Sequence, residues 1–304
     1  MNVNQWIDEP GRNEALPIER FTDAGDLRTH YLDFPGGEPT LVLLHGLSAN
    51  AHEFCALTEA GLSPRFRVVA PDLRGRGKTD KPATGYSMAD HAADVIALLD
   101  TLGIERVVMG GHSFGGLLSI YLAAHFPERV SKVVVIDAAI VFHANVNELL
   151  KPSLARLARV MPSAEAYLSE MRSAPHVDGV WDKAMEGYFR AELHENADGT
   201  AQSLTSARAV EQALNGAQCE QWDELVRRVR HPVLLLNASG AFGPPGSPPL
   251  VPPEHALSTA RAFSNCTYVL VPGNHLTMVF GNNAAVLQKQ IGDFIDEDRN
   301  ALTA

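Results

Sequence analysis

The stretch that most narrows what this chain can fold into is Gly111-His112-Ser113-Phe114-Gly115. The apolar run Val107-Val108-Met109-Gly110 precedes it, and Gly116-Leu117-Leu118-Ser119-Ile120-Tyr121-Leu122-Ala123-Ala124 follows. The first reads as a buried strand, the second as a helix. A G-x-S-x-G between strand and helix turns so sharply that the serine must leave the ordinary backbone regions. Glycines on either side let strand and helix approach without clashing. The hydroxyl then stands at the end of a sheet, beside a helix N-terminus that favours developing negative charge. Ser113 is therefore the candidate nucleophile. The competing reading is a Gly-rich turn carrying an idle serine.

Further short apolar runs read as strands buried on both faces: Thr40–Leu44, Arg67–Ala70, Val133–Ile136, Val233–Leu236 and Tyr268–Val271. None shows the polar alternation of a half-exposed sheet. Helical patterns separate several of them. Ser87-Met88-Ala89-Asp90 has the spacing of an N-cap with an acidic partner three residues on, and Gly103 closes that helix. Alternating strands and helices predict an α/β fold, with a mostly parallel central sheet covered by helices on both faces. The rhythm breaks over 139–230. Leu149, Leu154, Leu157, Val160 and Tyr167 fall on apolar helical faces there, as do Trp181, Met185, Tyr188 and Phe189, and no strand is evident. The chain is thus divided into an α/β core, 1–138 and 231–304, and a helical cap, 139–230. A cap over the carboxyl ends of the strands would enclose Ser113. A separate helical domain is the alternative.

The chain has 304 residues and a formal net charge of −11. That balance argues against nucleic acid or an anionic membrane as the main partner. Met1–Pro10 lacks the basic and apolar regions of a secretory signal, and no apolar run approaches the roughly 20 residues needed to span a bilayer. Cys55, Cys219 and Cys266 are far apart and match no zinc spacing or disulfide framework. A reduced, cytoplasmic setting is expected. No metal-ligand cluster or phosphate-cradling loop is evident, so no cofactor is expected.

Four segments together resemble the α/β-hydrolase fold superfamily, in its lidded, serine esterase or lactonase-like form. They are Leu43-Leu44-His45-Gly46-Leu47, Ala70-Pro71-Asp72-Leu73-Arg74-Gly75-Arg76-Gly77, Gly111-His112-Ser113-Phe114-Gly115-Gly116 and Val271-Pro272-Gly273-Asn274-His275. The resemblance implies that Leu47, after the His-Gly pair, and Phe114, after the serine, donate backbone N–H groups to an oxyanion hole. Removing one such donor typically costs about 2.7–4 kcal/mol of barrier stabilisation. It also implies that His275 is the base, since neutral imidazole can take the serine proton and return it to a leaving group. His45 reads as a structural turn residue, and His112 occupies a variable position of the elbow. The Asp72–Gly77 loop reads as structural, with Arg74 and Arg76 the residues in it able to influence an anionic substrate.

The chain departs from the family at the acid. After Val233–Leu236 the expected aspartate is replaced by Ala241, and the first carboxylate downstream is Glu254. Asp137 ends the strand next to the nucleophile strand, and some lidded members carry their acid there. Asp137 is the expected third member; Glu254 is one alternative, and no acid or a distant one is the other. The leading expectation is hydrolysis of a carboxylic ester or lactone through an acyl-serine. A carbon–carbon bond hydrolase of ring-cleavage products, a hydroxynitrile lyase and a cofactor-free dioxygenase would keep the same residues. A small-molecule receptor is the non-enzymatic alternative. Trp181, Tyr188, Phe189 and Met278 are expected to line an apolar pocket.

Overall fold

In the computed structural model, residues 17–142, 151, 154–177, 179–244 and 246–301 are described. Met1–Pro10 and Leu149 lie outside them. The apolar runs pair into one eight-stranded sheet, in the order β1 (Ile18–Ala24), β2 (Leu27–Phe34), β4 (Val68–Pro71), β3 (Leu41–Leu44), β5 (Val107–His112), β6 (Val130–Ile136), β10 (Val233–Ala238) and β11 (Cys266–Val271). From β4 to β11 neighbouring strands are parallel, whereas β2 runs against both β1 and β4.

The hairpin β1–β2 carries no long apolar run. β1 is mostly exposed, and β2 buries Thr29, His30 and Asp33 among its apolar residues. A search for apolar strands passes over both.

Strand alternation splits the core in two. Val42, Leu44, Met109, Val133, Val135 and Leu235 face one side. There they meet the helices Met88–Thr101, Phe114–His125 and Trp222–Arg228. Leu41, Leu43, Val108, Val134, Ile136, Leu234 and Leu236 face the other side, against Phe54, Phe66 and the C-terminal helix Gly281–Ala301. The first of these helices begins as the sequence predicts: Ser87 and Asp90 form a reciprocal capping box, and Gly103 follows the helix at φ 65°.

The stretch between β6 and β10 holds the helices Ala164–Arg172, Lys183–Ala191 and Ala207–Gln218. It also holds strands where none is expected. β7 (Val160–Met161), β8 (Leu193–Glu195) and β9 (Ala201–Ser203) form a small antiparallel sheet. At two or three residues each, they are too short to show alternation. Met161, Tyr167, Leu168, Met185, Tyr188 and Phe189 pack into the second core cluster. Polar ties reinforce that packing: Asn50 Nδ2 donates to Tyr188 O, Asn274 Nδ2 to His176 O, and Gly281 N–H to Asp182 Oδ2.

Candidate active site

Ser113 sits between β5 and the helix Phe114–His125 at φ 53°, ψ −116°. For a residue with a side chain this conformation costs roughly 1–3 kcal/mol, so its surroundings must hold it. Ser113 N–H donates to Ile136 O at 2.8 Å, and Ser113 O accepts from Leu117 N–H at 3.1 Å. The flanking glycines are steric requirements. A Cβ on Gly115 would lie 1.8 Å from Leu44 O, and one on Gly111 2.3 Å from Gly115 O.

Asp137 follows β6 and, like Ser113, has a positive φ, 47°. Its N–H donates to Leu236 O, which seats it between the ends of β6 and β10. Asp137 Oδ1 accepts from Asn237 Nδ2 and Ala238 N–H, both at 2.8 Å. Asp137 Oδ2 accepts from His275 Nδ1–H at 2.6 Å. The carboxylate is 1% exposed, yet three donors satisfy it. Glu254, by contrast, is exposed in the first turn of the helix Pro253–Ala262, and Ala241 is exposed on the loop after β10.

His275 follows β11 in a turn held by Asn274, whose side-chain oxygen accepts from Leu276 N–H and Thr277 N–H. Burial lowers the His275 pKa and the charge of neighbouring His112 lowers it further, against the opposing pull of Asp137. With Nδ1–H engaged by Asp137, the lone pair lies on Nε2. Among the described residues, no hydrogen bond joins the half-buried Ser113 hydroxyl to this ring. The two are neighbours through His112, which precedes Ser113 and whose ring lies 4.5 Å from that of His275.

The turn after β3 is fixed on several sides. Leu73 N–H donates to His45 Nε2 at 3.0 Å, so His45 Nδ1 carries the proton that it donates to Gly46 O at 2.7 Å. Because a trans peptide points its C=O and N–H in opposite directions, that bond also aims the Leu47 N–H. Arg76, fully buried, donates from Nε to Leu47 O at 3.0 Å. Phe114 N–H lies in the first turn of its helix, without an intrahelical acceptor. His45 thus acts in the turn, as the sequence suggests, and the structure adds Arg76, whose part in shaping that turn the sequence does not suggest. Arg74 is occupied by Asp94. Asp72 accepts from Ala51 N–H, Lys78 N–H and His30; against its burial, His30 holds its pKa down at about 2.

Of the expected pocket residues, Met278 is fully buried, while Tyr188 and Phe189 are 6% and 3% exposed. The half-buried Trp181 stacks on Phe189 with ring centroids 5.6 Å apart. The aromatic group edge-on to His275 is Phe242, at 5.6 Å, itself packed against His176 at 5.4 Å. Neither residue shows a periodic signal in the sequence.

The family profile described as alpha/beta hydrolase fold matches residues 39–282. This chain belongs to that family. Several of its relatives are named as hydrolases. It is 29% identical to a 2-(acetamidomethylene)succinate hydrolase of Mesorhizobium japonicum over 284 residues, covering 92% of this chain and 95% of the relative. It is 29% identical to a 2-hydroxy-6-oxo-2,4-heptadienoate hydrolase of Pseudomonas putida, covering 74% and 80%. The crystal structure of E-2-(acetamidomethylene)succinate hydrolase superposes with a TM-score of 0.81 at 26% identity, covering 92% of this chain and 99% of that one. The enol-lactonase of Burkholderia xenovorans LB400 superposes with a TM-score of 0.71 at 21% identity, covering 91% and 100%, a likeness of fold. Within this family, one fold carries many reactions, so the chemistry must be argued from the residues. Among the described residues, no helix is long and apolar enough to cross a membrane.

Proposed function

We propose that this chain is a serine hydrolase that cleaves the carboxylic ester or lactone bond of a small molecule, beneath a cap formed by 139–230. The observation that carries this reading is the 2.6 Å bond between Asp137 and His275, at the strand ends where Ser113 holds its left-handed turn. His275 Nε2 takes the Ser113 proton as Oγ attacks the substrate carbonyl. The Leu47 and Phe114 N–H groups hold the developing oxyanion. Collapse re-forms the carbonyl and breaks the bond between the acyl carbon and the leaving-group oxygen, and the leaving alkoxide takes the proton from His275. Water, deprotonated by the same ring, then releases the acid and restores Ser113. Asp137 fixes the ring's tautomer and stabilises the imidazolium. Besides water and substrate, these steps use only groups of the chain itself.

A second reading has support from the Pseudomonas putida relative, whose name places its substrate among dienoates. On that reading the broken bond is carbon–carbon and the cap selects a conjugated keto acid. One panel separates the two. It contains p-nitrophenyl esters of graded chain length, simple lactones, 2-(acetamidomethylene)succinate and 2-hydroxy-6-oxo-2,4-heptadienoate. Turnover of an ester or lactone, with fluorophosphonate labelling lost in Ser113→Ala, is the expected result. Turnover of the dienoate alone establishes the second reading. Full activity in Ser113→Ala overturns both.

A further inference from the structure

Behind the proposed triad lies another carboxylate and another imidazole. Glu53, in the helical turn Ala51–Phe54, and His112, the last residue of β5, are 1% and 3% exposed. His112 Nδ1–H donates to Glu53 Oε1 at 3.0 Å. The other oxygen, Oε2, accepts the Gly46 N–H at 2.9 Å. One carboxylate thus grips both turns of the site: the residue before Ser113 and the residue before Leu47. The fit is close, since a Cβ on Gly46 would lie 3.3 Å from His112 Nδ1, 3.6 Å from Glu53 Oε1 and 3.7 Å from Ser113 Cβ. The His112 ring also packs, tilted by 43°, against the ring of His275, with centroids 4.5 Å apart.

We propose that Glu53 and His112 are positioning residues: a buried acid–imidazole pair that locks the oxyanion turn to the serine turn and sets the protonation of His275. This rests on the hydrolase reading and deepens it. Removing two charges from water is costly, and an apolar pair of the same volume often packs as stably. Core packing alone therefore gives little reason for an ion pair here. Electrostatics at the base gives one.

The groups facing the pair are few. His112 faces Glu53, Asp137 and His275, while Glu53 faces His112, His45 and Tyr188. Burial keeps His45 neutral by lowering its pKa, and keeps Tyr188 neutral by raising it. The charges left are Asp137⁻, Glu53⁻ and, between them, His112⁺. Burial opposes the charge on His112, but Glu53, with smaller help from Asp137 and the His275 backbone, raises the His112 pKa. That cation, its ring tilted 43° to that of His275 with centroids 4.5 Å apart, adds to burial in disfavouring a proton on the base, without touching substrate.

Glu53→Gln keeps an acceptor for the Gly46 N–H and removes the charge. His112 then loses the main partner that raises its pKa, and the weakened cation beside His275 outweighs the smaller upward pull that Glu53 itself exerts on that ring. The acid limb of the kcat/KM profile is expected to move up by about half a pH unit, and the plateau to fall roughly tenfold, since a neutral amide holds the Gly46 N–H less tightly than the charge-assisted bond it replaces. His112→Asn should move the limb the same way, and the double variant no further than either single one. A plateau loss with no limb shift makes the pair purely structural and overturns the proposal. Histidine Cε1–H titration by NMR on the unmodified protein needs no variant to fold. His112 should titrate above and His275 below the ordinary value of about 6.5, and the reverse order overturns the proposal. Ser113→Ala in the same assay separates the failures. Loss of turnover there with an unmoved Glu53→Gln limb rejects this pair alone, whereas retained turnover rejects the hydrolase reading.

Discussion

Asp137 and His275 stand 138 residues apart in the chain and 2.6 Å apart in space. The meeting is possible because β6 and β10 are parallel neighbours, with Ile136 beside Leu236, so that the next residue of β6 reaches across the mouth of β10. The end of β10 itself supplies donors in place of an acid: the Asn237 side chain and the Ala238 N–H both feed Asp137. Asn237 is in turn oriented by Val251 O and the Tyr268 hydroxyl.

Replacing Asp137 by Asn should lower kcat by about 10⁴, because an amide facing Nδ1 selects the tautomer that has no lone pair on Nε2. Glu254→Gln should leave kcat within about twofold, since Glu254 is exposed. Steady-state kinetics of the two variants side by side checks the assignment, which a large loss in Glu254→Gln alone would sink.

The pH dependence has a definite sign. A lowered His275 pKa means that activity persists in acid, with the midpoint of the acid limb below about 6.5. Stability follows the same direction. Burial lowers His45, His91 and His275, and takes His52 to about 4. Between these values and the unfolded value near 6.5 the unfolded chain binds more protons, so stability is lost as pH falls through that window. Asp72, held at about 2, adds a loss at still lower pH. His112, raised, acts oppositely: its contribution is present in acid and lost as pH rises through its folded value. Thermal melts from pH 8 to pH 4 should show a falling Tm; a flat profile contradicts this account.

Gly115→Ala is expected to abolish soluble expression or cost at least about 3 kcal/mol. The added methyl would lie 1.8 Å from a backbone oxygen of β3, with no flexible side chain to yield. Chemical denaturation measures the change, and a loss under about 1 kcal/mol would mean that β3 shifts easily.

The parallel half of the sheet was legible because its strands are buried on both faces and read as unbroken apolar runs, as in Val133–Ile136 and Val233–Leu236. The elbow was legible because only glycine fits beside it. β1 and β2 were not, since β1 is largely exposed and β2 buries polar residues among its apolar ones. β7, β8 and β9 were too short to carry a period. Ser113, His275 and Asp137 stand at strand ends, where position in the chain is itself a signal. Glu53 and Phe242 carry no such mark. They reach the site through a short helical turn and an irregular loop, and only the fold brings them there.

His45 offers a test of how the oxyanion turn is aimed. Its neutral ring accepts from Leu73 N–H and donates to Gly46 O, and that second bond orients the peptide whose other end is the Leu47 N–H. If that N–H stabilises charge only in the transition state, loosening it should lower kcat far more than it raises KM. His45→Ala is therefore expected to reduce kcat by about 10²–10³, the range seen when an oxyanion donor is lost. The buried Leu73 N–H left without an acceptor should also cost about 1–3 kcal/mol of stability. His45→Gln, which can accept or donate but not span both partners, should fall between. A His45→Ala enzyme with lowered Tm and unchanged kcat would show that the Leu47 amide is held by Arg76 and Glu53 without help from this ring.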